Sequence, residues 1–191
     1  METEEIREKK EPKRLPVWAC ILLFALGLFV CMGLYGTIGF GLLSLILGDE
    51  ARHPGLLVYT VTEANMLLSV LTPAVILLYF ERRPFSDLGL TLKGHVRGLW
   101  YGLLVAMLLY LIGFGLSLAI GEVEVTGFQF DPLNLLGTFV FCLLVALTEE
   151  IMMRGYILGR LLHTRMNKFL ALFVSALLFA LLHIFNPNVA F

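Results

Sequence analysis

Charge is nearly absent from most of this chain. After position 14 only 19 Asp, Glu, Lys or Arg remain in 177 residues, and most of them fall between long apolar stretches. A soluble domain carries about a quarter charged residues, whereas this chain of 191 residues has 15% and a mean hydropathy of +0.87. That excludes an ordinary water-soluble globule and a disordered chain. The formal net charge of −1 and the lack of a long basic stripe argue against a nucleic-acid partner. The partner that remains is the lipid bilayer.

A membrane-spanning helix needs about 20 mostly apolar residues. Five stretches meet or approach that length: 17–47, 56–80, 99–120, 132–162 and 169–185. The first is long enough to tilt or break at Gly33, Gly36, Gly39 or Gly41, and Pro73 is an expected kink in the second. None alternates over ten residues as the strands of a membrane barrel do. The expected fold is therefore all-α, a polytopic bundle of about five transmembrane helices. Lys and Arg number 5, 1, 4, 0 and 3 in the successive segments before and between the spans. By the positive-inside bias this alternation puts the N-terminus in the cytoplasm. A multi-pass protein of the cell (plasma) membrane is expected. Its parts are a charged cytoplasmic tail (1–16), two amino-terminal spans (17–83) and a carboxy-terminal region (84–191). The tail and first span do not form a cleavable signal, since the apolar stretch is about twice a signal's length. Cys20, Cys31 and Cys142 sit inside spans at unrelated spacings, as small buried hydrophobes do. Glycines such as Gly33 and Gly36 suit helix packing within or between chains, which leaves the oligomeric state open. No internal repeat supports an inverted-repeat transporter.

Ionisable groups inside a span are costly, so each is a functional candidate. Span four carries Glu149, Glu150 and Arg154; span five carries His183; span two carries Glu63 and Asn65. Near a span centre each acidic residue costs about 2.5–3.5 kcal/mol. Glu150 and Arg154 are four residues apart and can pair on one helix face. Glu149 points about 100° away and needs another partner: a metal, a histidine, a proton or water. The loop after span four turns near Arg165. Glu149 lies 16 residues before that turn and His183 18 after it, so both lie roughly 24–27 Å from it. A short loop makes the two spans antiparallel neighbours. An acid and an imidazole at one depth can hold a divalent metal or activate a water. The simpler readings are a hydrogen-bonded core histidine and a proton relay through the Glu pair. Glu63 lies about seven residues into its span, near enough to reach the interface by snorkelling. His53, His95 and His163 fall in loops or at span ends, and HExxH, the zincin signature, is absent.

The pattern Glu149-Glu150-x-x-x-Arg154, followed about 30 residues later by Phe179-x-x-x-His183, resembles the CPBP intramembrane proteases. This family includes the prenyl-protein (CAAX) endopeptidases and is also called the Abi family. Arg154-Gly155-Tyr156, Asn186-Pro187 and the segment 84–90 extend the likeness over roughly 84–188. The resemblance implies a metallo-endopeptidase acting on a peptide or membrane-protein substrate. It makes Glu149 the general base, and His183 the residue that binds the metal or orients the water. Glu149 and His183 are then the metal ligands, and the implied cofactor is a divalent ion, zinc by preference. Glu150, Arg154 and Phe179 support them, with Phe179 packed under the imidazole. The family also carries a later His-x-x-x-Asn or His-x-x-x-Asp motif, which these residues do not supply. The expectation is a portion of a longer protein or a short inactive homologue, and a 191-residue chain that does not hydrolyse peptides alone. The alternatives are a non-catalytic, bacteriocin-immunity-like membrane module and a component of a proton-coupled transporter.

Overall fold

The computed structural model describes residues 15–53, 55–91 and 93–184. The charged amino-terminal residues through Arg14, and Asn186-Pro187, lie outside the described residues. Within them the chain is helical, with no strand. Helix α1 is Val17–Leu47, α2 is Leu56–Phe80, α3 is Val96–Ala119, α4 is Pro132–Leu162 and α5 is Lys168–His183. Short 3₁₀ turns, Gly48–Arg52 and Phe85–Leu88, lie in the first two connections.

Local chemistry sets the ends. Pro16 holds an extended backbone and α1 starts immediately after it. It closes at Gly48, whose φ of +59° is a conformation that favours glycine. Asp131 caps α4 by accepting from the Leu133 and Asn134 amides, and Pro132 takes the first turn, where no amide donor is needed. Asn167 caps α5 by accepting from the Phe169 amide.

Helices α1 to α4 are long and apolar enough to cross a bilayer. Helix α1 runs unbroken through its glycines for 31 residues, about 46 Å. The fifth helix is shorter than a full span. Its 16 residues make about 24 Å, against a hydrocarbon core of about 30 Å. The fold is thus a five-helix membrane bundle in which four helices have spanning length.

The packed core is off-centre. It gathers Phe24 of α1, Val70, Ala74, Leu77 and Leu78 of α2, Leu88 of the 3₁₀ turn, and a run from α4. That run is not α-helical. Glu150–Leu158 is a π-helix, with hydrogen bonds that close wider, i→i+5 turns. Six of its nine residues are buried, whereas Pro132–Glu149 buries only Thr148. The π segment is gripped from three sides. The Tyr156 ring stacks on Phe24 at 4.3 Å. Gly155 lies so close to the second 3₁₀ turn that a Cβ would come within 2.7 Å of the Leu88 carbonyl oxygen. Ala171 of α5 is wholly buried against the same core. Helix α3, in contrast, buries none of its residues. Its apolar surface faces outward, as a lipid-facing helix's does.

Where α1 approaches α2, the small residues that matter are Gly27 and Gly39. A Cβ on Gly27 would meet the ring of Pro73, and one on Gly39 would fall on the Asn65 amide. Gly33 and Gly36, expected to serve packing, have nothing within 4 Å of a Cβ position within the chain. Among the cysteines only Cys20 is buried; Cys31 is intermediate and Cys142 is exposed on the apolar surface.

The polar ends of α1, α2 and α4 meet in a buried ion-pair network. Arg160, only 5% exposed, pairs with Glu81. Arg83 lies 3.5 Å from Glu81 and 3.3 Å from Asp87. The Cys20 thiol donates to Glu81 at 2.7 Å, and the Arg160 guanidinium sits 5.1 Å over the Tyr156 ring. The positive-inside count treats Arg160 as a loop charge, but it belongs to the last turn of α4 and points inward.

Two outcomes follow for stability in detergent. Gly155→Ala is expected to cost about 1–3 kcal/mol, because the Leu88 backbone must move, while Gly33→Ala stays within about 0.5 kcal/mol. Glu81→Gln leaves Arg160 buried without its counter-charge and is expected to cost about 3–5 kcal/mol, most of it recovered in Glu81→Leu/Arg160→Met. Denaturant titration followed by circular dichroism reads both.

Candidate active site

The site forms where the α-helical part of α4 gives way to the π segment and α5 runs back alongside it. Asn167 caps α5 five residues after α4 ends, so the two helices are antiparallel neighbours. One face of α5 carries Ala171, Ser175, Phe179 and His183, each four residues after the last. Small residues at the buried end allow close approach. The Ser175 hydroxyl, buried, donates across the interface to the Met153 carbonyl at 3.2 Å. It ties α5 directly to the π segment.

Further along that face the expected residues come together. His183 Nε2 lies 3.5 Å from Glu149 Oε1. His183 Nδ1 lies 2.9 Å from the Phe179 carbonyl oxygen. A carbonyl only accepts, so Nδ1 is the donor in this contact and Nε2 is the ring nitrogen turned to the carboxylate. At this distance the ring nitrogen and the carboxylate oxygen can share a proton or hold a cation between them. The Phe179 ring packs against the imidazole at a centroid distance of 4.4 Å, tilted by 48°. Glu150 pairs with Arg154, leaving Glu149 to the histidine. Side-chain accessibility separates the two pairs only modestly: 36% for Glu149 and 42% for His183, against 52% for Glu150 and 69% for Arg154.

Beside Glu149 is a cavity of about 160 Å³, lined by Glu149, Glu150, Arg154, Ser175, Phe179 and neighbouring apolar side chains, with His183 outside its wall. It has polar walls and room for several waters. Polar groups and space thus adjoin at one depth.

A divalent ion can be tested against this geometry. Zinc binds imidazole nitrogen and carboxylate oxygen at about 2.0–2.2 Å. Two such bonds span the 3.5 Å between Nε2 and Oε1 at close to the tetrahedral angle. The donor types and their separation therefore fit. Among the described residues no third His, Cys, Asp or Glu joins them.

Ser175 and the π conformation are the parts of the site that sequence reasoning misses. The four-residue spacing of Ala171, Ser175, Phe179 and His183 is visible in the sequence and marks the face. Asn65 and Glu63 lie elsewhere, between α1 and α2.

The helical membrane bundle thus brings a carboxylate and an imidazole from neighbouring helices together beside a cavity. Residues 131–191, 61 of the 191, match a family model described as type II CAAX prenyl endopeptidase Rce1-like. The matched stretch contains Glu149, Glu150, Arg154, Phe179 and His183, the residues on which the likeness to CAAX proteases rests. No curated protein and no solved structure matches the chain.

Ser175→Ala is expected to lower stability by under about 1 kcal/mol, the usual worth of a hydrogen bond between membrane helices. Unfolding in mixed micelles measures it.

Proposed function

We propose that this protein is an intramembrane endopeptidase of the CAAX-protease type, a multi-pass protein of the cell membrane that cleaves a peptide or membrane-protein substrate. The supporting observation is the facing pair Glu149 and His183, with Nδ1 of the imidazole engaged by the Phe179 carbonyl and Nε2 turned to the carboxylate. In the proposed reaction Glu149 takes a proton from a water in the cavity. The water oxygen attacks the scissile carbonyl carbon and forms the new C–O bond. Glu149 then returns the proton to the departing amine as the C–N bond breaks. His183, oriented by the Phe179 carbonyl and backed by the Phe179 ring, turns Nε2 to the Glu149 carboxylate and positions it. Glu150 neutralises Arg154 next to the cavity and keeps that cation from pairing with Glu149.

Glu149 and His183 are also the residues that would hold a divalent ion, for which zinc suits the donor pair. When bound, such an ion supplies Lewis acidity that polarises the carbonyl.

The non-catalytic module is the second reading. It is favoured by the donor count, two among the described residues where catalytic zinc sites use three protein ligands. Such a module would hold a peptide at the cavity without cutting it.

Cells producing the protein with a tagged membrane-embedded substrate distinguish these. Processing that falls at least about a hundredfold on Glu149→Gln supports the peptidase. Processing indifferent to that change refutes it, and stoichiometric capture without processing selects the module. Equilibrium dialysis with zinc gives a readout independent of turnover: binding is expected to be lost in His183→Ala and retained in Glu150→Gln.

A further inference from the structure

The two ends of the bundle differ in charge. One end is formed by residues 81–97, between α2 and the first turn of α3, and by residues 160–168, from the last turn of α4 to the first of α5. These two stretches hold seven Lys or Arg against only Glu81 and Asp87, an excess of five positive charges. The first 14 residues add five acids and five bases, which leaves that excess as it is. The opposite end, residues 48–55 and 120–131, has Arg52 against Asp49, Glu50, Glu122, Glu124 and Asp131.

Both acids of the positive end are already engaged, Glu81 by Arg160 and Arg83 and Asp87 by Arg83. The other five cations, Arg82, Lys93, Arg97, Arg165 and Lys168, are exposed, and none has a carboxylate partner among the described residues. Three of them border one contact. Arg83 and His163 line two cavities in common, so the end of α2 lies against the α4–α5 loop. Arg82 is next to Arg83, and Arg165 and Lys168 follow His163 closely. Arg82 is also unusual in its backbone. Its φ of +55° is left-handed, a conformation for which the close of a helix favours glycine. The Arg83 amide donates back to the Leu78 carbonyl at 2.9 Å, the bond that this conformation permits. A charged, exposed side chain thus stands where glycine would be easier. Apolar surface adjoins the charge, since Phe169, the residue after Lys168, is 82% exposed.

We propose that this end of the bundle binds an anionic phospholipid. The headgroup phosphate lies between Arg82 on one side and Arg165 and Lys168 on the other, and an acyl chain lies against Phe169. Each Lys or Arg at an anionic membrane surface multiplies affinity about fivefold. Net charge makes the selection, because a zwitterionic headgroup brings a further cation to a place that already has five in excess. A soluble polyanion would match the charge but leave Phe169 uncovered. Such a lipid ties the end of α2 to the α4–α5 hairpin, whether or not that hairpin is catalytic.

Native mass spectrometry of the full chain in detergent tests this, with phosphatidylglycerol and phosphatidylcholine of identical acyl chains. Phosphatidylglycerol is expected to bind at least about tenfold more tightly. Arg82→Gln/Arg165→Gln/Lys168→Gln is expected to bring it down to the phosphatidylcholine level, while Arg52→Gln, at the opposite end, leaves the preference intact. Arg82→Gly separates binding from folding, because it removes the charge and suits the left-handed backbone: the thermal midpoint is expected not to fall, while phosphatidylglycerol affinity drops about fivefold. Equal binding of the two lipids by the wild type overturns the proposal, as does a preference that survives the triple substitution or is lost in Arg52→Gln. So does displacement of the lipid by glycerol phosphate in solution, which would make the ligand a soluble phosphate. If the triple variant does not yield folded protein, Arg82→Gly decides in its place, and an unchanged phosphatidylglycerol affinity there overturns the site.

Discussion

A charge surrounded by hydrocarbon must have a counter-charge, a proton or water, because nothing else there can solvate it. Much of this molecule follows from that requirement. The network of Glu81, Arg160, Arg83 and Asp87 joins the ends of α1, α2 and α4 at one point, with the Cys20 thiol and the Tyr156 ring closing the remaining contacts. Glu150 and Arg154 satisfy each other within one helix. Glu149 is left to an imidazole on the neighbouring helix. The same rule that fastens the bundle at one end leaves a polarised pair beside a cavity further along α4.

Packing and polarity divide the work between two parts of the structure. The tightly packed part comprises the π segment, the second half of α2 and the start of α1. Outside it, α3 and the first half of α4 present apolar surface almost all round. The site sits at the border of the two, where the α-helical part ends at Glu149 and the π segment begins. There Glu149 lies next to the packed π segment and opens onto a space large enough for several waters. A rigid support beside an accessible cavity is what positioned chemistry needs.

Much of this is readable from the amino-acid order, and the gaps have physical causes. Three of the first four spans coincide with their helices, because a Pro, an Asp-Pro or a Gly brackets each apolar run. The third helix starts at Val96, three residues before its apolar run begins. The meeting of Glu149 and His183 is foreseeable because a short loop fixes two antiparallel helices and counting residues fixes depth. The pairing of Arg160 with Glu81 is not, since 79 residues separate them and no local rule relates their depths. The π conformation is hidden for a different reason. The side chains of 150–158 are as compatible with an α-helix, and only the approach of Gly155 to Leu88 shows that the wider turn has a neighbour to accommodate it.

The widened turn also sets the azimuth of everything downstream of it on α4. Glu149 lies before the change of pitch and Arg160 beyond it, and each is engaged with a different neighbouring helix. The nine residues of the π segment thus act as a phase adjuster between two docking directions. Removing one of them and letting the rod relax to an ordinary pitch would turn one end against the other. Either the acid would lose its imidazole or the guanidinium its carboxylate, so this stretch has little freedom to change length even where its side chains are free to vary.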